Sequence, residues 1–208
     1  MKIKTAFDNN VLEYDHWYEK HPAIYQSELL TVKQAIPLSK KGVEIGTGTG
    51  RFSSPFNIDI GVEPSANMAK LAEERGITVI NAVAENLPFH DESFDFVLMV
   101  TTVCFLSDIP KAFAEANRIL KKNGTIIIGL IDKDSELGQK YEQMKSTNKF
   151  YRDAQFHTTI EISKLLEKAG FNSFSYWQTV FNLEMAKEEQ PIQGFGKGSF
   201  VVIKAIKT

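Results

Sequence analysis

Residues Gly42 to Arg51 read GVEIGTGTGR, a short apolar strand running into three alternate glycines. Alternate glycines let a backbone turn at positive φ and let a ligand lie directly against the main chain. The spacing restricts which ligand. A dinucleotide fingerprint needs G-x-G-x-x-G after the strand. Counted from Gly46 the third position is Arg51, and counted from Gly48 it is Ser53, so both registers fail. Taken alone, the segment also reads as an ordinary strand-to-helix turn.

The residues on either side alternate between strand and helix patterns. Ile58, Ile60 and Val62 suggest a second strand that ends at Glu63-Pro64. Ser65 caps a helix carried by Met68, Leu71 and Ala72, and Gly76 stops it. Ile77 to Ile80 reads as a third strand. Phe94 to Val100 is almost continuously apolar, as a parallel strand covered on both faces should be. Asp108 and Pro110 open a helix carried by Phe113, Ala116, Ile119 and Leu120, which Asn123-Gly124 ends. Thr125 to Ile131 is the fifth strand. Strands separated by helices mean a parallel sheet with right-handed crossovers.

The C-terminal third changes character. Thr158 to Glu161 forms a capping box before Ile162, Leu165, Leu166 and Ala169, and Gly170 ends that helix. Strands Phe171 to Phe181 and Ser199 to Ile206 follow. The loop between them holds Pro191, Gly194, Gly196 and Gly198 and has no crossover helix, so these strands should pair antiparallel. The expected fold is α/β, a doubly wound, mostly parallel seven-stranded sheet with an antiparallel C-terminal hairpin. Residues 1–35, 132–157 and 182–197 fall outside it, as an N-terminal cap and two lid or substrate segments.

A chain of 208 residues suits one such domain, spanning 1–208. Its formal net charge of −2 offers no basic footprint for a nucleic acid. A single cysteine, Cys104, gives no disulfide framework, and it reads as a buried inert thiol. Residues 1–20 lack an apolar leader core, and no run reaches membrane-span length, so a cytoplasmic address without membrane association is expected. His16, His21, His90 and His157 show no metal-ligand pairing. Oligomeric state is not legible.

Five features recur at fixed intervals. Glu44 lies two residues before Gly46, and Glu63 ends the second strand seventeen residues after it. Ala84-Glu85-Asn86-Leu87-Pro88-Phe89 follows the third strand, Ser93 to Val97 opens the fourth, and Leu120 to Gly124 precedes the fifth. In this order they resemble the type-11 domain of class I S-adenosylmethionine-dependent methyltransferases, over residues 42–131. The resemblance implies a Rossmann-like fold, a core at 42–131 that holds S-adenosyl-L-methionine, and a small-molecule acceptor. It places Gly46, Thr47, Gly48 and Gly50 under the cofactor's methionine part. Glu63 would take the ribose hydroxyls beside Pro64, Ser65 and Met68. A buried carboxylate must be hydrogen-bonded, so Glu44 braces the glycine loop or the cofactor's ammonium.

Ala84, Glu85 and Asn86 match the adenine segment, although Val83 stands where relatives often carry an acid. Glu85 or main-chain groups would then serve, and Asn86 reads equally as a turn residue. Thr101 follows the fourth strand, where relatives face cofactor and substrate. Tyr14-Asp15-His16-Trp17 resembles a segment that folds over the cofactor, where an aromatic face would attract the sulfonium. Packing of these aromatics on the sheet is the other reading. Donor chemistry belongs to the cofactor, so no fixed triad is required. Tyr14, His16, Asp132 and His157 are the candidate bases, and spacing does not choose among them. Two other classes remain in view. One is a nicotinamide oxidoreductase, disfavoured by the missing glycine. The other is a cofactor-binding regulator without turnover.

Overall fold

The computed structural model describes residues 6–208 apart from Ser39 and Met185. Residues 1–5 of the expected cap lie outside the described residues. The strands are β1 (Gly42–Ile45), β2 (Ile60–Val62), β3 (Thr78–Ile80), β4 (Phe94–Val100), β5 (Leu120–Ile131), β6 (Phe171–Thr179), β7 (Ile192–Gln193) and β8 (Phe200–Lys207). They form one sheet in the order β3-β2-β1-β4-β5-β8-β6-β7. The first five are parallel, and β8 lies antiparallel between β5 and β6. Strand order reverses between β1 and β4, the position where open α/β sheets place ligands.

The seven expected strands are present, and the two-residue β7 makes an eighth. It forms inside the 182–197 loop, where Ile192 and Gln193 pair with Gln178 and Trp177 at the sheet edge. Gln178 Oε1 holds the returning chain by accepting from the amides of Lys197 and Gly198, at 2.8 and 2.7 Å.

Helices α1 (Ala6–Asn9), α2 (Val11–Lys20) and α3 (Pro22–Lys33) precede the sheet. Helix α4 (Ala66–Glu74) joins β2 to β3, and α5 (Ile109–Ile119) joins β4 to β5. Helix α6 (Glu136–Met144) and α7 (Thr159–Lys168) lie between β5 and β6. The expected caps form: Ser65 on α4, Asp108 on α5, and the Thr158–Glu161 box on α7. Helix α5 ends at Ile119, ahead of the Asn123-Gly124 stop expected to end it. Leu120 is fully buried and already pairs with Phe94, so β5 begins there. The Asn123-Gly124 turn is thus an irregularity within β5, with Asn123 at φ +61°.

Alternate residues of the central strands serve two cores, as the pleat requires. Val97, Met99, Ile126, Ile128, Val201 and Ile203 face α5 and α7. Phe96, Leu98, Val100, Ile127, Phe200 and Val202 face the other way, into the N-terminal helices and the segment after β5. The segments outside the sheet therefore contribute to a core of their own. Tyr18, Val32, Ala154 and Phe156 are buried in the second core, because that face of a sheet so apolar must be covered. Among the described residues no helix is long and apolar enough to cross a membrane.

Candidate active site

The chain leaves β1 through Gly46, Gly48 and Gly50, all at positive φ (73°, 56° and 83°). A Cβ on Gly46 would stand 2.5 Å from the Thr102 side chain, and one on Gly50 would stand 2.4 Å from Ile77 Cδ1. Only glycine meets both the backbone and the space requirement here. The turn brings the loop against Thr102, which follows the neighbouring β4 at the strand-order reversal.

Three carboxylates brace this loop. Glu44 is fully buried beneath it and accepts from the hydroxyls of Ser53 and Thr47, the latter at 3.2 Å. Burial pushes its carboxyl up to about 8 despite those bonds. Glu63, at the end of β2, is 8% exposed. Its Oε2 accepts from the Gly48 amide at 3.0 Å, and Oε1 from the Ser65 amide at 2.8 Å. Each oxygen keeps a second lone pair for another donor. Burial raises this carboxyl above its ordinary range, and the two amides pull it back.

Asp15 is the third, and sequence reasoning passed over it. From α2 it accepts from Thr49 Oγ1 at 2.6 Å, Arg51 Nε at 2.9 Å and Arg75 Nη2 at 2.7 Å. These donors outweigh its burial and hold its carboxyl at about 2. Arg75 also donates to the Thr49 carbonyl at 2.6 Å. One buried acid thus fastens the N-terminal cap to the glycine loop. Arg51, the residue that breaks the dinucleotide pattern, has this clamp as its structural role.

Tyr14 overhangs the loop. Its hydroxyl lies 3.9 Å from where a Gly48 Cβ would stand, with Met68 Cε at 3.5 Å from the same point. It is bonded to Tyr18 at 2.8 Å. Tyr14, Glu44, Gly46, Thr47, Gly48, Gly50, Glu63, Ser65 and Met68 therefore converge. Pro64 is exposed beside them, its carbonyl accepting from Asn81 at 3.2 Å.

Residues 84–86, which the resemblance aligns with an adenine segment, are arranged for support. Ala84 is buried in the first core, and Asn86 is exposed in a tight turn bonded to Val83 at 3.1 Å. Glu85 Oε1 accepts from the Ser107 amide and hydroxyl and the Asp108 amide, at 2.9, 2.8 and 3.2 Å. That oxygen braces the start of α5. Its partners lie too far along the chain for spacing to reveal.

Thr101 adopts φ +49°, an uncommon conformation for a β-branched residue. Such outliers persist where the surroundings enforce them, often at functional sites. Thr101 lines a cavity of about 10 Å³ with Cys104, Leu130, Tyr151, Phe156 and His157. That volume is near the smallest that admits one water. The Cys104 thiol is 8% exposed and pushed up to about 12 by burial, an inert group. Among the described residues His157 Nε2 is buried without a hydrogen-bond partner, and Nδ1 lies 3.8 Å from Glu161. Burial lowers the His157 pKa, so the ring is neutral at physiological pH. Asp132 has both oxygens committed, one to Thr159 (2.9 and 2.5 Å) and one to the Asp134 amide (2.9 Å). It anchors α7. His16 is exposed.

A methyltransferase-domain family model matches residues 43–128. The chain belongs to the class I S-adenosylmethionine-dependent methyltransferases, whose cofactor is S-adenosylmethionine. Among its relatives, an uncharacterized protein of Methanocaldococcus jannaschii is 46% identical over 98% of this chain and 99% of its own length. A crystal structure from Thermotoga maritima is described as a SAM-dependent methyltransferase, possible histamine N-methyltransferase. It is 48% identical, covers 98% of this chain and 99% of its own, and superposes with a TM-score of 0.95. A phosphoethanolamine N-methyltransferase from Haemonchus contortus, in complex with S-adenosyl-L-methionine, shares the fold at 18% identity. Its TM-score is 0.66, over 96% of this chain and 57% of that one.

Proposed function

We propose that this chain methylates a small-molecule acceptor, with the cofactor on the glycine loop and the acceptor beside Thr101 and His157. The observation that carries it is the Glu63 carboxylate, fixed by the Gly48 and Ser65 amides with lone pairs to spare at the strand-order reversal. That arrangement suits a pair of ribose hydroxyls. Bound S-adenosylmethionine supplies a methyl group already activated on a cationic sulfur. Gly46, Thr47, Gly48 and Gly50 would carry its methionine part, Pro64, Ser65 and Met68 would flank the ribose, and Ala84, Glu85 and Asn86 would border the adenine.

What remains for the protein is alignment, water exclusion and removal of a proton. Good alignment supplies about 7–11 kcal/mol of a barrier. Tyr14 and the segments 6–35 and 132–157 cover the site, and the small cavity requires them to part before an acceptor enters. Of the four candidate bases, His157 fits best. It is neutral, faces the cavity, and has a ring nitrogen without a partner.

Calorimetric titration with S-adenosylmethionine, S-adenosylhomocysteine and NADH tests the cofactor reading. Tight NADH binding with none for S-adenosylhomocysteine would sink it. Turnover is tested by labelled methyl donor against a panel of small phenols, carboxylates and amines. The panel includes histamine, which the Thermotoga maritima description names. Among the described residues the arginines at the glycine loop, Arg51 and Arg75, are both paired with Asp15, which disfavours nucleic acid. Salt-sensitive gel shifts with tRNA or duplex DNA would overturn that part.

A further inference from the structure

The cavity beside Thr101 measures about 10 Å³, room for one heavy atom the size of a water. It adjoins the glycine loop, because Thr102, the next residue, donates from its hydroxyl to the Gly46 carbonyl at 3.4 Å. No side chain in its lining carries a charge at neutral pH. Val103, Leu130 and Ile131 are apolar, and burial keeps the Cys104 thiol and the Tyr151 hydroxyl protonated. A polar demand is left unmet there. His157 lines the cavity, and its buried Nε2 has no hydrogen-bond partner among the described residues.

The other ring nitrogen faces an acid. His157 Nδ1 lies 3.8 Å from Glu161 Oε2, in the first turn of α7. That same oxygen accepts from the Thr158 amide at 2.8 Å, while the Glu161 amide donates to Thr158 Oγ1 at 3.1 Å. The capping box that starts α7 therefore also fixes a carboxylate beside the ring. The Thr158 amide holds the Glu161 carboxyl below its ordinary range, so it is ionised at neutral pH. Lys133 is the opposing charge; burial and then its field favour the neutral ring. A bare Nε2 on one side and a carboxylate on the other can take up a proton and steady the resulting cation.

This arrangement narrows the acceptor. A carboxylate brings no proton to Nε2 and would lose its water in an uncharged cavity. A protonated amine would lose its water too, and it has no lone pair for a methyl carbon. A neutral hydroxyl matches a water in size and donates to Nε2. A phenol, with a pKa of about 10, is within reach of an imidazole, and an aliphatic alcohol is far less acidic. We propose that the methyl acceptor is a neutral phenolic hydroxyl received at His157 Nε2, with Glu161 as the positioning residue of that ring. The inference rests on the methyltransferase reading above and adds the class of acceptor. In the step, the O–H bond breaks and its proton passes to Nε2. The oxygen bonds the methyl carbon as the C–S bond breaks, and that electron pair returns to sulfur, leaving a neutral thioether.

The test titrates phenol, benzylamine and benzoate into protein saturated with S-adenosylhomocysteine, by calorimetry and by magnetic resonance of isotope-labelled histidine rings. Phenol should bind at least about tenfold more tightly than the other two. It should also move the His157 ring signal, which is assigned by its loss in His157→Gln. Glu161→Gln keeps a capping side chain at that position, so the melting temperature should hold. The His157 pKa should nevertheless fall by about 0.7, the effect of removing one charge about 4 Å away in water. Equal affinities across the series, no phenol binding by the wild type, phenol binding that leaves His157 unmoved, or an unchanged His157 pKa in Glu161→Gln would each overturn the inference. The wild-type series decides even if a variant fails to fold. Failure of the wild type to bind S-adenosylhomocysteine would instead bring down the methyltransferase reading, and this inference with it.

Discussion

Replacing Asp15 with Asn removes the buried acid that ties α2 to the glycine loop, beside the exposed Glu19–Arg51 pair, and the structure bounds the cost. Breaking a buried ion pair by deleting one partner costs about 3–5 kcal/mol, because the other charge is left uncompensated. Here Arg51 and Arg75 keep side-chain exposures of 16% and 27%, so water recovers part of that. A second route gives a similar figure. The carboxyl titrates at about 2 instead of 3.8, and at ~1.4 kcal/mol per unit this is about 2 kcal/mol. The expected loss at neutral pH is therefore about 2–4 kcal/mol, or a fall in melting temperature of about 4–16 °C for a chain of this size.

The pH dependence is a sharper check. Because the folded-state pKa is depressed, the stabilisation is complete above the unfolded value and is lost as pH falls through the folded one. The ionisable part of the gap between wild type and Asp15→Asn should shrink to about half by pH 3. Urea unfolding of both proteins at pH 7 and pH 3 measures it. A gap below about 0.5 kcal/mol at pH 7, the size of an ordinary surface substitution, would refute the clamp. So would a gap that does not narrow in acid.

Four further outcomes are expected. Glu63→Ala should leave the fold intact and weaken S-adenosylhomocysteine binding by about 30–150-fold, equal to 2–3 kcal/mol; unchanged calorimetric affinity would show that another residue holds the ribose. Gly50→Ala forces a Cβ against Ile77 at φ +83° and should cost about 2–4 kcal/mol in urea unfolding; wild-type stability would mean the loop yields freely. Cys104 should react with a thiol reagent at pH 8 at least ~100-fold more slowly in the native than in the unfolded chain, and comparable rates would contradict its burial. Hydrogen exchange should show protection gained in 1–35 and 132–157 when S-adenosylhomocysteine binds. Protection confined to 44–65 and 83–87 would mean these segments are fixed core and not a lid.

Local rules carried the first five strands and the glycine loop into the sequence. Val43 to Ile45 and Phe94 to Val100 are apolar runs that can only be buried strands. Ser65, Asp108 and Thr158 cap their helices with their own side chains, so each start was legible within four residues. The Gly46, Gly48 and Gly50 spacing and the two glutamates, Glu44 and Glu63, marked the loop that the fold sets at the strand-order reversal. Long-range placement was decided only by the tertiary structure. Asp15 meets Arg75 across 60 residues, and Glu85 turns to Ser107 across 22. None of these pairings has a period or a spacing. Each exists because a sheet with two apolar faces must be covered on both, and the covering segments carry their acids in with them.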